Sequence, residues 1–251
     1  MKIIIVGSAD ILGAELVRQA LANPAITSVV AIAPEQRDPL PYHNGDPRLV
    51  SLTLPLDVQG MSKANDEAFG SSACIWNVGP TTRGWRNRIG IKDVALYIFN
   101  LLSGITWIEG QREEYLKNPN GLSYSSVPFR FVYVSSSTSM SPQKLKMISN
   151  LRAIQDAIDK LVPPAVEKSK GRLQSYIVKP GSIVRPGTGN SLGRMMKSAG
   201  SWLRDGFAFR FRIELGEIAA ALVKVAAEGN ANDVLSNKDL IRIGRQVTRD
   251  E

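Results

Sequence analysis

The chain has 251 residues, 43% of them hydrophobic and 22% charged, with a formal net charge of +8. That length and apolar content suffice for one α/β domain with a full core, so a single domain over 1–251 is expected, with a small substrate-covering lobe at 185–215. No stretch approaches the roughly 18 continuous apolar residues of a membrane span, and a single cysteine, Cys74, excludes an internal disulfide framework.

The charge does not point to nucleic acid. Residues 1–60 carry four Lys or Arg against six Asp or Glu, while the rest carries 27 against 17. Those bases fall in ones and twos (Arg86, Arg88, Lys144, Lys146, Lys168, Lys170, Arg210, Arg212), without a run or an aromatic-basic motif, which reads as a solvated surface. The first residues form a core strand with one lysine and no cleavage site, so no signal peptide is expected and a cytoplasmic protein is the default.

In chain order, Lys2–Val6 is an apolar β-branched strand, Gly7–Gly13 a turn, and Ala14–Ala22 a helix ended by Asn23-Pro24. Further strands are expected at Thr27–Ala33, Arg48–Leu54, Ala73–Val78, Phe129–Ser135 and Gln174–Val178. Helices are expected at Gly60–Phe69, Ile89–Leu102, Gln143–Leu161 and Glu214–Ala227. This alternation predicts an α/β fold, a Rossmann-like doubly wound parallel sheet. Ligands of such sheets bind beyond the carboxyl ends of the strands. That rule gathers Gly7–Gly13, Pro34–Arg37, Asn77–Arg83, Ser135–Met140 and Pro180–Ile183 around one crevice.

The turn after the first strand has the spacing of a phosphate loop with one member changed. In Gly-x-x-Gly-x-x-Gly the first glycine permits the tight turn, the middle one lets backbone approach pyrophosphate, and the last lets helix pack on strand. Gly7 and Gly13 are present, and Asp10 stands at the middle position. Its carboxylate either obstructs a phosphate or turns outward and caps the helix.

These segments resemble a family, the atypical short-chain dehydrogenase/reductases, in a fungal NAD(P)-binding, epimerase-like branch. The resemblance rests on Gly7-Ser8-Ala9-Asp10-Ile11-Leu12-Gly13, Ala73-Cys74-Ile75-Trp76-Asn77-Val78-Gly79, Val132-Tyr133-Val134-Ser135-Ser136, Lys179-Pro180-Gly181-Ser182-Ile183 and the ending Asn237–Arg245. It implies an NAD or NADP site at Gly7, Asp10, Leu12, Gly13, Arg37 and Asp57. It also implies a serine after the fifth strand, with a Tyr-x-x-x-Lys pair on the following helix to protonate a carbonyl oxygen.

The departures from that pattern concern the chemistry. No tyrosine lies between Tyr133 and Tyr176, and no tyrosine has a lysine four residues on. After the second strand the chain reads Ala33-Pro34-Glu35-Gln36-Arg37-Asp38, where Glu35 disfavours a 2′-phosphate and Arg37 would have to reach back to offset it. Asp57 retains a possible contact to an adenine amino group. His43 is the only histidine and lies in a Pro-rich loop, which argues against a Ser-His-Asp nucleophile. One histidine and one cysteine cannot make a zinc site, and no acidic run has calcium-loop spacing, so no metal is expected.

What remains at the strand ends is polar anchoring for an apolar ligand. Ser136, Arg83 and Asn77 are the candidate catalytic residues, with Arg83 able to face a developing oxyanion. Thr81, Ser135, Ser137, Thr138 and Trp202 are candidate substrate contacts, Trp202 from the aromatic-rich segment Ser191–Phe211. Serine runs are also ordinary turn chemistry, and Arg83 also fits a solvated Arg83/Arg86/Arg88 surface. The first expectation is a redox-neutral cyclase or isomerase of small-molecule biosynthesis that needs no cofactor. The alternatives are an NAD(P)H-dependent reductase with another proton donor, and a non-catalytic dinucleotide sensor or scaffold.

Overall fold

The structure is a computed structural model, and it describes residues 1–33, 45–53, 67–77, 128–135, 173–185 and 212–250. Its frame is a seven-stranded, wholly parallel sheet in the order β3-β2-β1-β4-β5-β6-β9. The strands are β1 (Lys2–Val6), β2 (Ser28–Ala33), β3 (Leu49–Thr53), β4 (Ala73–Trp76), β5 (Phe129–Val134), β6 (Leu173–Lys179) and β9 (Val234–Ser236). Two further strands, β7 (Ser182–Val184) and β8 (Arg212–Glu214), pair in parallel as a separate two-stranded sheet. They join the two ends of the expected 185–215 lobe, most of which lies outside the described residues.

The central strands form because their residues suit burial on both faces. Parallel sheets covered by helices select near-continuous apolar, β-branched runs, and Ile3, Ile4, Ile5 and Val6 of β1 are all buried. Side chains alternate across the pleat. Ile3, Ile5, Ala73, Ile75, Val132, Val134, Tyr176 and Val178 share a core with the helices α1 (Ile11–Ala22), α2 (Leu215–Glu228) and α3 (Asn237–Asp250). Ile4, Val6, Cys74, Trp76, Phe131 and Tyr133 are buried on the opposite face. Burial pushes the Cys74 thiol far above its ordinary range, so it stays protonated within the sheet, as its place in a core strand predicts.

The sequence-derived element bounds hold for the long strands and shift at the helix starts. Helix α1 begins at Ile11 rather than Ala14, which moves Leu12 and Gly13 from the expected turn into the first helical turn. The physical reason is the Asp10 side chain, which satisfies a first-turn backbone donor and lets the helix start early. Helix α3 and the three-residue strands β7, β8 and β9 are additions that the sequence patterns did not mark. The expected helices 89–102 and 143–161, and residues 60–66 of the expected helix Gly60–Phe69, lie outside the described residues.

The strand order fixes where a ligand can sit. From β1 the chain builds outward through β2 to β3 and then returns to β4 on the other side of β1. β1 is followed by β2 on one side and β4 by β5 on the other, so the switch point lies between the carboxyl ends of β1 and β4, where folds of this kind place their ligand crevice. The amino ends of β5 and β6, at the opposite edge, are tied to the end of α2 and the residues after it. There Arg130 Nη1 donates to the Ala227 carbonyl at 2.8 Å at the end of α2, and the buried Tyr176 hydroxyl accepts from Asn230 N–H at 3.2 Å.

Candidate functional site at the switch point

The site is built from the ends of β1 and β4 upward. Gly7 leaves β1 with φ +86, a left-handed conformation that glycine adopts without a Cβ penalty. The Gly7 and Ser8 N–H groups both donate to the Ile32 carbonyl, at 2.9 and 3.2 Å, and so fold the turn back onto β2. Ser8 is buried by that turn. Asp10 is then the N-cap of α1, with extended backbone angles of φ −90 and ψ 177. Its carbonyl accepts the first helical bond from Ala14 N–H at 2.9 Å, and its Oδ1 accepts from Gly13 N–H at 2.6 Å.

Gly13 has the packing role its position implies. A Cβ built on it would lie 2.1 Å from the Gly7 carbonyl oxygen and 2.6 Å from Ser8 Cα, which no side chain can tolerate. Helix α1 therefore rests directly on the β1 turn. Leu12, expected among the cofactor contacts, is buried in the hydrophobic core, so its side chain packs against the sheet.

Asn77 reaches the same point from the other side of the crevice. Its N–H donates to the Val6 carbonyl at 2.9 Å, which carries the β4 backbone one residue past Trp76 beside the end of β1. Its side-chain Nδ2 donates to both Asp10 carboxylate oxygens, at 2.9 and 3.1 Å. Asp10 thus caps its helix, as one sequence reading has it, but does not turn outward. It is drawn inward across the switch point. The sequence reasoning named both residues without linking them, although their places at the carboxyl ends of neighbouring parallel strands are the signal that brings them together.

Ser135 lies at the carboxyl end of β5, buried, with its N–H donating to the Val178 carbonyl at 2.9 Å. Farther along the edge, Asn237 Oδ1 accepts from Gly181 N–H at 2.6 Å and joins the β6 exit to the start of α3, a contact the sequence did not suggest. Arg83, Ser136, Thr81, Ser137, Thr138, Trp202, Arg37 and Asp57 lie outside the described residues. Ile11, the first residue of α1 and next to Asp10, is 51% exposed. Among the described residues no group of His, Cys, Asp and Glu could hold a metal ion, and no helix is long and apolar enough to cross a membrane.

No protein-family model matches the sequence, and no curated protein matches it significantly. Similarity appears at the level of structure. A short-chain dehydrogenase/reductase from Saccharomyces cerevisiae is 17% identical with a TM-score of 0.63, over 96% of this chain and 98% of that one. An apo SCOR enzyme from Clostridium thermocellum is 12% identical with a TM-score of 0.64, over 94% and 91%. A dTDP-glucose 4,6-dehydratase from Streptomyces venezuelae, solved with NAD and TYD bound, is 15% identical with a TM-score of 0.52, over 98% and 80%. The chain therefore has the Rossmann-like α/β fold of the short-chain dehydrogenase/reductase enzymes.

The Streptomyces venezuelae dehydratase holds NAD on this fold, and the turn of this chain would fit a dinucleotide only in part. The Gly7 turn and the Gly13 contact keep the frame that seats a pyrophosphate at a helix N-terminus. The donor set is altered at one member. The Gly13 N–H is held by the Asp10 carboxylate, and that carboxylate places negative charge where phosphate oxygens would approach.

Proposed function

We propose that the protein is a redox-neutral enzyme of small-molecule biosynthesis, a cyclase or isomerase on a short-chain dehydrogenase scaffold, working in the cytoplasm without a bound dinucleotide. The observation that carries this reading is the Asp10 carboxylate hydrogen-bonded to Gly13 N–H at 2.6 Å at the start of α1. The absence of any Tyr-x-x-x-Lys pair supports it from the sequence side, since a hydride acceptor's oxygen would lack its usual proton donor.

In this reading the substrate is a small, mainly apolar molecule. The half-exposed Ile11 offers an apolar wall at the crevice mouth. Ser136 and Arg83 polarise one substrate carbonyl, Ser135, Ser137, Thr138 and Thr81 bind at the rim, and Trp202 covers the pocket. Asn77 serves by positioning Asp10. Holding the reactive conformer lowers the entropic part of the barrier, and a rearrangement within one molecule moves no hydride to or from a second one, so it requires no redox cofactor.

A second reading, an NAD(P)H-dependent reductase with another proton donor, is favoured by the close Gly7–Gly13 packing, which retains the nucleotide frame. Calorimetric titration of the purified protein with NADH and NADPH separates the two. The redox-neutral reading expects no saturation at micromolar cofactor and no nucleotide released when the protein is denatured. Micromolar affinity, or a co-purified dinucleotide, would overturn it in favour of the reductase.

A further inference from the structure

We propose that Asp10 is the specificity-determining residue of the β1/β4 crevice: its carboxylate, held by Gly13 and Asn77, closes a nucleotide frame that one substitution reopens. The inference rests on the reading that the native protein does not bind a dinucleotide, and goes beyond it by assigning that property to one side chain.

The frame around Asp10 is kept. Gly7 has the positive φ of the tight turn, and Gly13 allows α1 to rest against the Gly7 carbonyl. The sheet order also opens the crevice beside that helix. A chain that had abandoned nucleotide binding through loss of the fold would show none of this geometry. The difference lies in what occupies the helix start. Asp10 Oδ1 takes the Gly13 N–H, so an internal carboxylate stands in for the anion that a helix N-terminus attracts.

Two features make this closure firm. The carboxylate is covalently part of the turn, so an incoming phosphate competes with a ligand that is always present. Asn77 Nδ2 donates to both carboxylate oxygens and removes the simplest escape, a rotation of the side chain away from the crevice. Phosphate approach then meets like charge as well as an occupied donor. A ligand of this crevice is accordingly one without phosphate at this position.

The test compares the native protein with Asp10→Gly and Asp10→Asn, each titrated with NADH by fluorescence and calorimetry. Glycine is tolerated at an N-cap and asparagine caps as well as aspartate, so both variants should fold; circular dichroism checks this, and Asp10→Asn keeps the test open if Asp10→Gly is unstable. Asp10→Gly, which removes both charge and occupancy, should gain roughly tenfold or more in NADH affinity over the native protein. Asp10→Asn, which removes the charge and keeps a side chain, should gain less. Native protein that does not bind, with folded variants that also do not bind, overturns this proposal and leaves the redox-neutral reading standing. Native protein that already binds NADH at micromolar concentration overturns that reading and this proposal together, because Asp10 is then no barrier.

Discussion

Two helix N-termini lie at the carboxyl edge of the same sheet, and both carry a carboxylate, but the carboxylates are held differently. At the start of α3 the contacts stay within one turn. Asp239 Oδ2 accepts from Ser236 N–H at 3.0 Å and from Ser236 Oγ at 2.6 Å, and the Asp239 N–H donates back to Ser236 Oγ at 3.4 Å. This is a reciprocal capping box, beside the outermost strand β9. At the start of α1 the Asp10 carboxylate also binds a residue 67 positions away, Asn77, just past the end of the neighbouring strand. At the edge the carboxylate serves only its own helix start. At the switch point it also ties the ends of two neighbouring strands together, and there the proposed exclusion of phosphate acts.

The comparison breaks first at the packing beneath each helix. Gly13 approaches the Gly7 carbonyl, and a Cβ on Gly244 would lie 2.2 Å from the Glu217 carbonyl where α3 crosses α2. Gly13→Ala and Gly244→Ala should each cost roughly 1–3 kcal/mol, read by urea or thermal unfolding, because backbone must shift to admit the methyl group. Gly13→Ala alone should also disturb the crevice. Equal wild-type stability in both would show that the helices do not sit as closely as described.

The caps themselves come next. Ser236→Ala should lower stability by about 1 kcal/mol, the usual cost of an N-cap serine, and leave ligand binding at the crevice unchanged. Asp10→Gly should change binding, with a stability cost of roughly 1–3 kcal/mol because Asn77 Nδ2 loses both acceptors. Lost stability with unchanged binding in that variant, measured by melting and titration together, would make Asp10 merely structural.

A smaller effect separates the two ends by pH. Hydrogen bonds from Ser236 hold the Asp239 carboxyl below its ordinary range, so its contribution to stability is present above the unfolded value of about 4 and is lost as pH falls through the lower folded value. Acid below about pH 4 should therefore loosen the β9–α3 junction, visible as faster amide exchange there, and Asp239→Asn should flatten that dependence. Smallest of all is Arg245→Ala. Its guanidinium bonds Glu217 at 2.7 Å with the arginine side chain 60% exposed, and exposed pairs are worth ~0–1 kcal/mol, so melting should barely move.

Much of this frame was legible in the sequence, for reasons that also explain the omissions. Strands β1, β2, β4 and β5 are apolar runs buried on both faces, and such runs between turn residues announce themselves. Strands β7, β8 and β9 have three residues each and expose most of them, too little for a period to show. Helix α3 buries little beyond Leu240, Ile243 and Gly244 beneath a charged surface, so its apolar stripe is narrow. At the site, Gly7, Asp10 and Gly13 were legible as a modified phosphate loop. The inward hold on Asp10 was not, because it depends on β4 lying next to β1, which strand order alone supplies. Leu12 turns its side chain into the core for a local reason, since the cap starts the helix early and carries Leu12 into the first turn.

The central claim is that this scaffold rearranges its substrate without moving a hydride. The most direct measurement is mass spectrometry of a metabolite extract incubated with nucleotide-free protein, following which ions fall and which rise. The account predicts a consumed and a formed species of equal mass, with no dependence on added NADH or NADPH. A two-hydrogen mass difference that appears only with NADH or NADPH would contradict it.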